Sequence, residues 1–278
     1  MATGAPGTAT LQGTLTQTVV NGVATFSNVS YNKAETMSIA AISVPAYTAA
    51  TSTNVIVTTA AASKLVLTAV PAANTITAGT RGAYTVTVQD QFNNTQASHG
   101  GVTIPLTTTS ASTSKAFYNA ATAGSVITQL VLANGTASGN FWYYDEAAAA
   151  YTITASSTPL TAATHALTVA SAAATRLAVT GGATMAAGDT NAITITAYDA
   201  FNNVAAATYT GSKNVVFSGA NASPTPSATA PTCAGTAFGT STALTFTAGV
   251  GSCSMRLYKA EVVSLKATEG ALTTATTD

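Results

Sequence analysis

The chain has 278 residues, a length that suits two to three domains of about 100 residues each. Only 6% of them are charged and nine Lys+Arg balance nine Asp+Glu, so no basic stripe exists to neutralise nucleic-acid phosphates. With 47% apolar residues in short runs, none near the roughly 18 of a membrane-spanning helix, the composition excludes both a disordered chain and a helical membrane span.

The opening stretch MATGAPGTAT has neither the basic nor the apolar region of a signal peptide, so any export signal is expected outside this sequence. In Val19-Val-Asn-Gly-Val-Ala-Thr-Phe26, Asn21-Gly22 sits between two apolar runs. Both residues tolerate positive φ, which predicts a hairpin with a type I′ turn. Tyr31 and the alternating Met37-Ser-Ile-Ala follow, and the alternation predicts a half-buried strand.

A second unit opens after the link TTAAAS with Lys64-Leu-Val-Leu-Thr, Ile76-Thr-Ala-Gly and Tyr84-Thr-Val-Thr-Val-Gln-Asp-Gln-Phe-Asn-Asn94. Tyr84, Val86 and Val88 alternate with polar neighbours, the period of a strand with one solvated face. The hairpin signal returns at Asn134-Gly135 in a Val131-Leu-Ala-Asn-Gly-Thr-Ala stretch, then Tyr144 and Tyr151-Thr-Ile-Thr. Glu146-Ala-Ala-Ala-Ala150 could form one helical turn, but so short a helix is marginal and a connecting loop is the expectation.

After the link VASAAAT, the same blocks come back as Arg176-Leu-Ala-Val-Thr, Met185-Ala-Ala-Gly and Ile193-Thr-Ile-Thr-Ala-Tyr-Asp-Ala-Phe-Asn-Asn203. The offset is 112 from Lys64 to Arg176 and 109 from Asp90 to Asp199. Phe246-Thr-Ala-Gly-Val-Gly-Ser-Cys253, Tyr258 and Val263-Ser-Leu-Lys then repeat the later blocks. The early blocks thus occur twice and the late ones three times. The expected domains are residues 1–62, the C-terminal half of a unit, then 63–172 and 173–278, each a whole one. Short strands and turn signals, without a long helical period, predict an all-β fold of tandem Greek-key β-sandwich domains.

These blocks resemble the bacterial immunoglobulin-like repeats of large cell-surface proteins, of the invasin and intimin type. The resemblance covers nearly the whole chain and rests on the openings Ser63-Lys-Leu-Val-Leu-Thr and Thr175-Arg-Leu-Ala-Val-Thr, the Thr-Ala-Gly turn at Gly79 and the Asp-Xaa-Phe-Asn-Asn stretches. It implies an extracellular stalk, adhesin, surface-layer or filament component. Its partners would be neighbouring immunoglobulin-like domains or copies of itself. The alternative is an adhesin or carbohydrate-binding module for a polysaccharide or a cell-surface ligand. Residues 1–62 supply only the later strands of a sandwich, so an apolar face and strand edges should need cover from an upstream segment or another copy.

Cys233 and Cys253 are the only cysteines, and a disulfide between them would need an oxidising compartment, against the alternative of two buried thiols. Asp90 with Asn93, and Asp199 with Asn202, place a carboxylate and amide oxygens in one turn, the donor types of calcium. Asp and Asn also staple such turns through their own backbone, and one acid per turn is few for calcium. In Phe141-Trp-Tyr-Tyr144, alternation puts one aromatic pair in the core and the other outside, with Trp142 and Tyr143 considered as ligand contacts.

Asp145-Glu146 is the only adjacent carboxylate pair, and it reads as a solvated loop matched by Asn32-Lys33 and Lys259-Ala260. His99 falls in a polar loop and His165 at an expected sheet edge, with no supporting motif for a Ser-His-Asp site or for zinc. No glycine-rich phosphate loop is present, so no cofactor other than calcium is expected and no enzymatic activity. Asn28, Asn93, Asn134 and Asn221 begin glycan-acceptor triplets, and the Thr- and Ser-rich loops at 107–114 and 223–227 could carry O-linked sugars or simply serve as solvated faces.

Overall fold

Period-two alternation becomes burial in the strand Arg81–Asp90, where Tyr84, Val86, Val88 and Asp90 point inward and their neighbours do not. The structure, a computed structural model of the chain, describes residues 2–4, 7–72 and 74–274. All regular elements among these residues are strands. No helix is long and apolar enough to cross a membrane.

In the second repeat the sheet order is Val126–Ile127, Ala116–Tyr118, Ser138–Tyr144, Arg81–Asp90, Ala62–Val70, and then Leu160–Ala170, Ala149–Ser157, Val102–Thr108 and Gln129–Leu132. A single parallel bridge, Thr161 to Lys64, joins the first five of these strands to the last four. The path therefore folds over as two facing sheets. The short strand Thr75–Thr77 crosses to the second sheet and pairs in parallel with Thr168–Ala170. One core lies between the faces, with Tyr84, Val86 and Phe141 from one sheet against Ile104, Ile153 and Leu167 from the other. This is the two-sheet, Greek-key arrangement of an immunoglobulin-like sandwich.

The third repeat rebuilds the plan. Arg176–Gly181, Thr190–Tyr198, Val250–Arg256, Thr232–Cys233 and Thr236–Ala237 form one sheet. Ser241–Phe246, Gly211–Ser218, Lys266–Glu269 and Leu272–Thr273 form the other. A parallel bridge from Leu177 to Thr274 matches the one at Lys64. The core has its own residues, with Ile193, Ile195, Val215, Phe217, Phe246 and Met255 all buried.

The first repeat is thinner. Ile39–Ala41 pairs with Ala2–Gly4 and Ala50–Thr51, and Thr36–Met37 pairs with Val55–Ile56. Among the described residues Leu11 and Met37 form its buried apolar centre, while Val19, Val20, Val23, Val44, Tyr47 and Ile56 are exposed.

Asn21 and Gly22 take φ of 51° and 81° between the bridged Val20 and Val23, the expected type I′ turn. At Asn134-Gly135 only the glycine has positive φ, 91°, so that turn is not type I′. Tertiary contacts set it instead: Asn134 Oδ1 accepts the Gly100 N–H at 3.0 Å and the Gly135 N–H reaches the Ala97 carbonyl at 2.9 Å. The alanine run is a loop that enters the strand Ala149–Ser157.

Candidate functional site: the joints between repeats

The Asp-Xaa-Phe-Asn-Asn stretches begin at the ends of the strands Arg81–Asp90 and Thr190–Tyr198 and lie where one repeat meets the one before it. Asp199 is buried, and its Oδ1 accepts the N–H groups of Phe201 and Asn203, each at 2.9 Å. Its Oδ2 accepts Asn203 Nδ2 and the N–H of Ala172 in the preceding link, again at 2.9 Å. Asn202 sits at the apex with φ 65°, a left-handed conformation that asparagine tolerates better than most residues. Asp90 repeats the pattern with Phe92, Asn94 and Ala60, all at 2.9 Å, and Asn93 has φ 70°.

The second asparagine of each pair reaches out of its own repeat. Asn203 Nδ2 donates to the Glu146 carbonyl at 2.7 Å while its Oδ1 accepts the Ala148 N–H at 2.9 Å. Asn94 does the same to the Asn32 carbonyl at 2.8 Å and the Ala34 N–H at 2.9 Å. One planar amide thereby satisfies a donor and an acceptor two residues apart on a loop that would otherwise leave them unpaired. Phe201 packs against the core of the second repeat, over Gly79, where an added Cβ would come within 2.4 Å of its ring. The expected Thr-Ala-Gly turn is thus a seat for the next repeat. Gly79 has φ 79° and its N–H donates to the Asp145 carbonyl at 2.9 Å, which ties the seat to the clamped loop.

Burial raises the Asp90 and Asp199 carboxyls, but the hydrogen bonds from the paired asparagine, the link N–H and the turn N–H groups outweigh it and hold both below the ordinary value. The residues considered for calcium do not converge. Both oxygens of each aspartate already accept N–H donors, Asn93 Oδ1 faces the Lys64 ammonium, and Asn202 Oδ1 accepts the Arg176 guanidinium at 3.2 Å. Among the described residues no group of three or more His, Cys, Asp or Glu side chains could hold a metal ion.

Two sequence expectations need correction here. Asp145 is buried and not solvated: it accepts the Tyr143 hydroxyl at 2.6 Å and the Ala147 N–H at 3.0 Å. Burial raises its carboxyl, and hydrogen bonds from Ser110, Tyr143 and Ala147 bring it below the ordinary value. The loop register also shifts. Arg81 lies opposite Tyr144 and Thr190 opposite Arg256, so Arg256, not Tyr258, takes the place of Tyr144. The clamp contacts then align Asn32 with Glu146 and with Tyr258.

Tyr143 is 0% exposed and cannot be a ligand contact, because the strand's alternation turns it and Phe141 onto Phe117 in the core. Trp142 is on the outer face, half-buried. His165 lies on Leu160–Ala170, the strand of its sheet next to the Thr161–Lys64 bridge. Its strand pairs along its length with Ala149–Ser157 and meets Ala62–Val70 only at Thr161, its ring stands edge-on to Tyr84 at 5.4 Å, and among the described residues its buried Nε2 has no partner. His99 is in its polar loop, bonded to the Thr136 carbonyl at 2.8 Å. Cys233 and Cys253 form a disulfide with Cα atoms 5.9 Å apart, linking adjacent strands of one sheet.

No family model matches the chain, and no curated protein does. Among solved structures it is similar to the adhesin FdeC of Escherichia coli, at 17% identity and a TM-score of 0.38, covering 85% of this chain and 69% of that one. It is also similar to invasin, described as a bacterial integrin-binding protein, at 12% identity and a TM-score of 0.39, covering 87% of this chain and 43% of that one. A glycosyl hydrolase family 2 member from Bacteroides cellulosilyticus matches at 13% identity and a TM-score of 0.29, covering 71% of this chain and 24% of that one. The chain spans less than half of the invasin and hydrolase structures. The assignment to immunoglobulin-like sandwiches rests on its own strand order.

Proposed function

We propose that this chain is a non-catalytic structural module of an extracellular bacterial surface protein, in which tandem immunoglobulin-like sandwiches are fixed end to end by the asparagine clamp. The observation that carries the reading is that the same clamp is built twice, by Asn94 and Asn203, each closing on the loop of the preceding repeat. A side chain that only stabilised its own turn would have no reason to meet a neighbour's carbonyl and N–H in both places. The disulfide supports the extracellular setting, since cytosolic thiols are kept reduced.

The clamp is tested by small-angle X-ray scattering on the full chain and on the Asn94→Ala, Asn203→Ala double variant. The variant should give a broader distribution of interatomic distances, and superimposable curves would sink the joint reading. The setting is tested separately by alkylating the chain as recovered from its native cells. Cys233 and Cys253 should resist alkylation until reduced; free thiols would argue for a reducing compartment.

A further inference from the structure

We propose that the surface of the third repeat between the Met185–Gly188 turn and the loop around Leu257–Val262 is an empty copy of the same joint, built to receive the Asp-Xaa-Phe-Asn-Asn turn of a further immunoglobulin-like repeat. The proposal rests on the clamp reading and deepens it by naming a partner. Its warrant is internal, because the occupied joint between the second and third repeats shows what fills such a surface.

Gly188 corresponds to Gly79, with φ of 87° against 79°, and its N–H donates to the Leu257 carbonyl at 2.7 Å as Gly79 donates to Asp145. This places Tyr258 where Glu146 stands and Ala260 where Ala148 stands. In the second repeat those positions present the carbonyl and the N–H that Asn203 clamps. Among the described residues neither the Tyr258 carbonyl nor the Ala260 N–H has a hydrogen-bond partner. Unpaired backbone groups at that spacing invite a side chain that donates and accepts at once, which a carboxamide does and a carboxylate or ammonium does not.

The apolar half of the joint is open too. A Cβ at Gly79 would strike the Phe201 ring, whereas nothing lies within 4 Å of one at Gly188. Ala78 is buried and the corresponding Ala187 is exposed. A groove of about 510 Å³ runs between the two segments, where Met185, Ala187, Leu257 and Val262 supply apolar surface beside the Lys259–Glu261 ion pair. Val262 is fully exposed. A phenylalanine ring two residues before the clamping asparagine would cover this apolar floor as Phe201 covers its own. A second folded copy of this chain does not offer such a turn, since its Asn94 and Asn203 are already engaged on Asn32, Ala34, Glu146 and Ala148. The occupant is therefore a repeat whose own turn is free.

The test extends the full chain after Asp278 with a second copy of residues 167–278, which keeps the offset of 112 between Lys64 and Arg176. Amide hydrogen exchange is then read at Ala260 and, as an internal reference, at Ala148. Relative to the unextended chain, Ala260 should exchange roughly tenfold slower or more. Asn203→Ala in the appended copy alone should remove that protection and leave Ala148 protected. An Ala260 rate unchanged by the extension, or slowed equally with and without the appended asparagine, overturns the proposal. If Asn203→Ala at the original position leaves Ala148 protected, the clamp reading itself fails, so the two failures are told apart.

Discussion

The two joints share a clamp but not a floor. Asn94 and Asn203 make matching pairs of hydrogen bonds, and Asp90 and Asp199 organise matching turns. Phe201 rests on Gly79 and the second-repeat core, whereas Phe92 is 42% exposed and meets none of the glycines among the described residues. The polar part of the joint therefore needs only the loop of the preceding repeat, while the apolar part also needs the turn at Gly79. Register comes from the amide, and buried area comes from the ring.

The largest expected effect tests what the joints have in common. Asp90→Ala or Asp199→Ala strips the acceptor from four N–H groups, and leaving buried donors unpaired should cost about 3 kcal/mol in either case. Urea unfolding of the full chain measures it. A loss below about 0.5 kcal/mol at either site would show that water replaces the carboxylate without penalty. The next effect separates the joints: Phe201→Ala should destabilise by about 2 kcal/mol and Phe92→Ala by about 1 kcal/mol, in proportion to the apolar area each ring buries. Equal losses would mean that the ring acts within its own turn and not across the joint.

Acid should weaken both joints together, by a smaller amount over any one pH unit. Asp90 and Asp199 are held below the ordinary carboxyl value, so the stability they add is fully present above about pH 4, the unfolded value. It is lost as pH falls through their lower folded values. Thermal unfolding should show stability that is level from pH 7 to about pH 5 and declines below about pH 4, with a shallower decline in Asp199→Asn. A midpoint of loss above pH 6 would point to other groups.

Much of the architecture was legible in the sequence because it depends on local rules. Alternation in Tyr84-Thr-Val-Thr-Val and Ile193-Thr-Ile-Thr named the inward residues, which are buried as expected. Asp90 and Asp199 stood out as stapled turns for the same reason, since an Asx side chain bonds backbone a few residues away. The reach of Asn94 and Asn203 was not legible. Their partners lie about 60 residues back in the chain, and no periodicity links a loop in one repeat to an amide in the next. Asp145 was misplaced because an acid beside a glutamate and four alanines reads as solvated until the Tyr143 hydroxyl is brought to it.

The sequence by itself determined an all-β chain with recurring strand blocks and the Asp-Xaa-Phe-Asn-Asn turns that follow Arg81–Asp90 and Thr190–Tyr198. Tertiary structure decided which face of the aromatic strand is core, which asparagine of each pair faces outward, and that Gly79 is a seat while Gly188 is bare. The division follows from the range of the forces. Backbone alternation and turn chemistry act over a few residues, whereas a clamp and a ring against a glycine exist only once two sandwiches have folded and met.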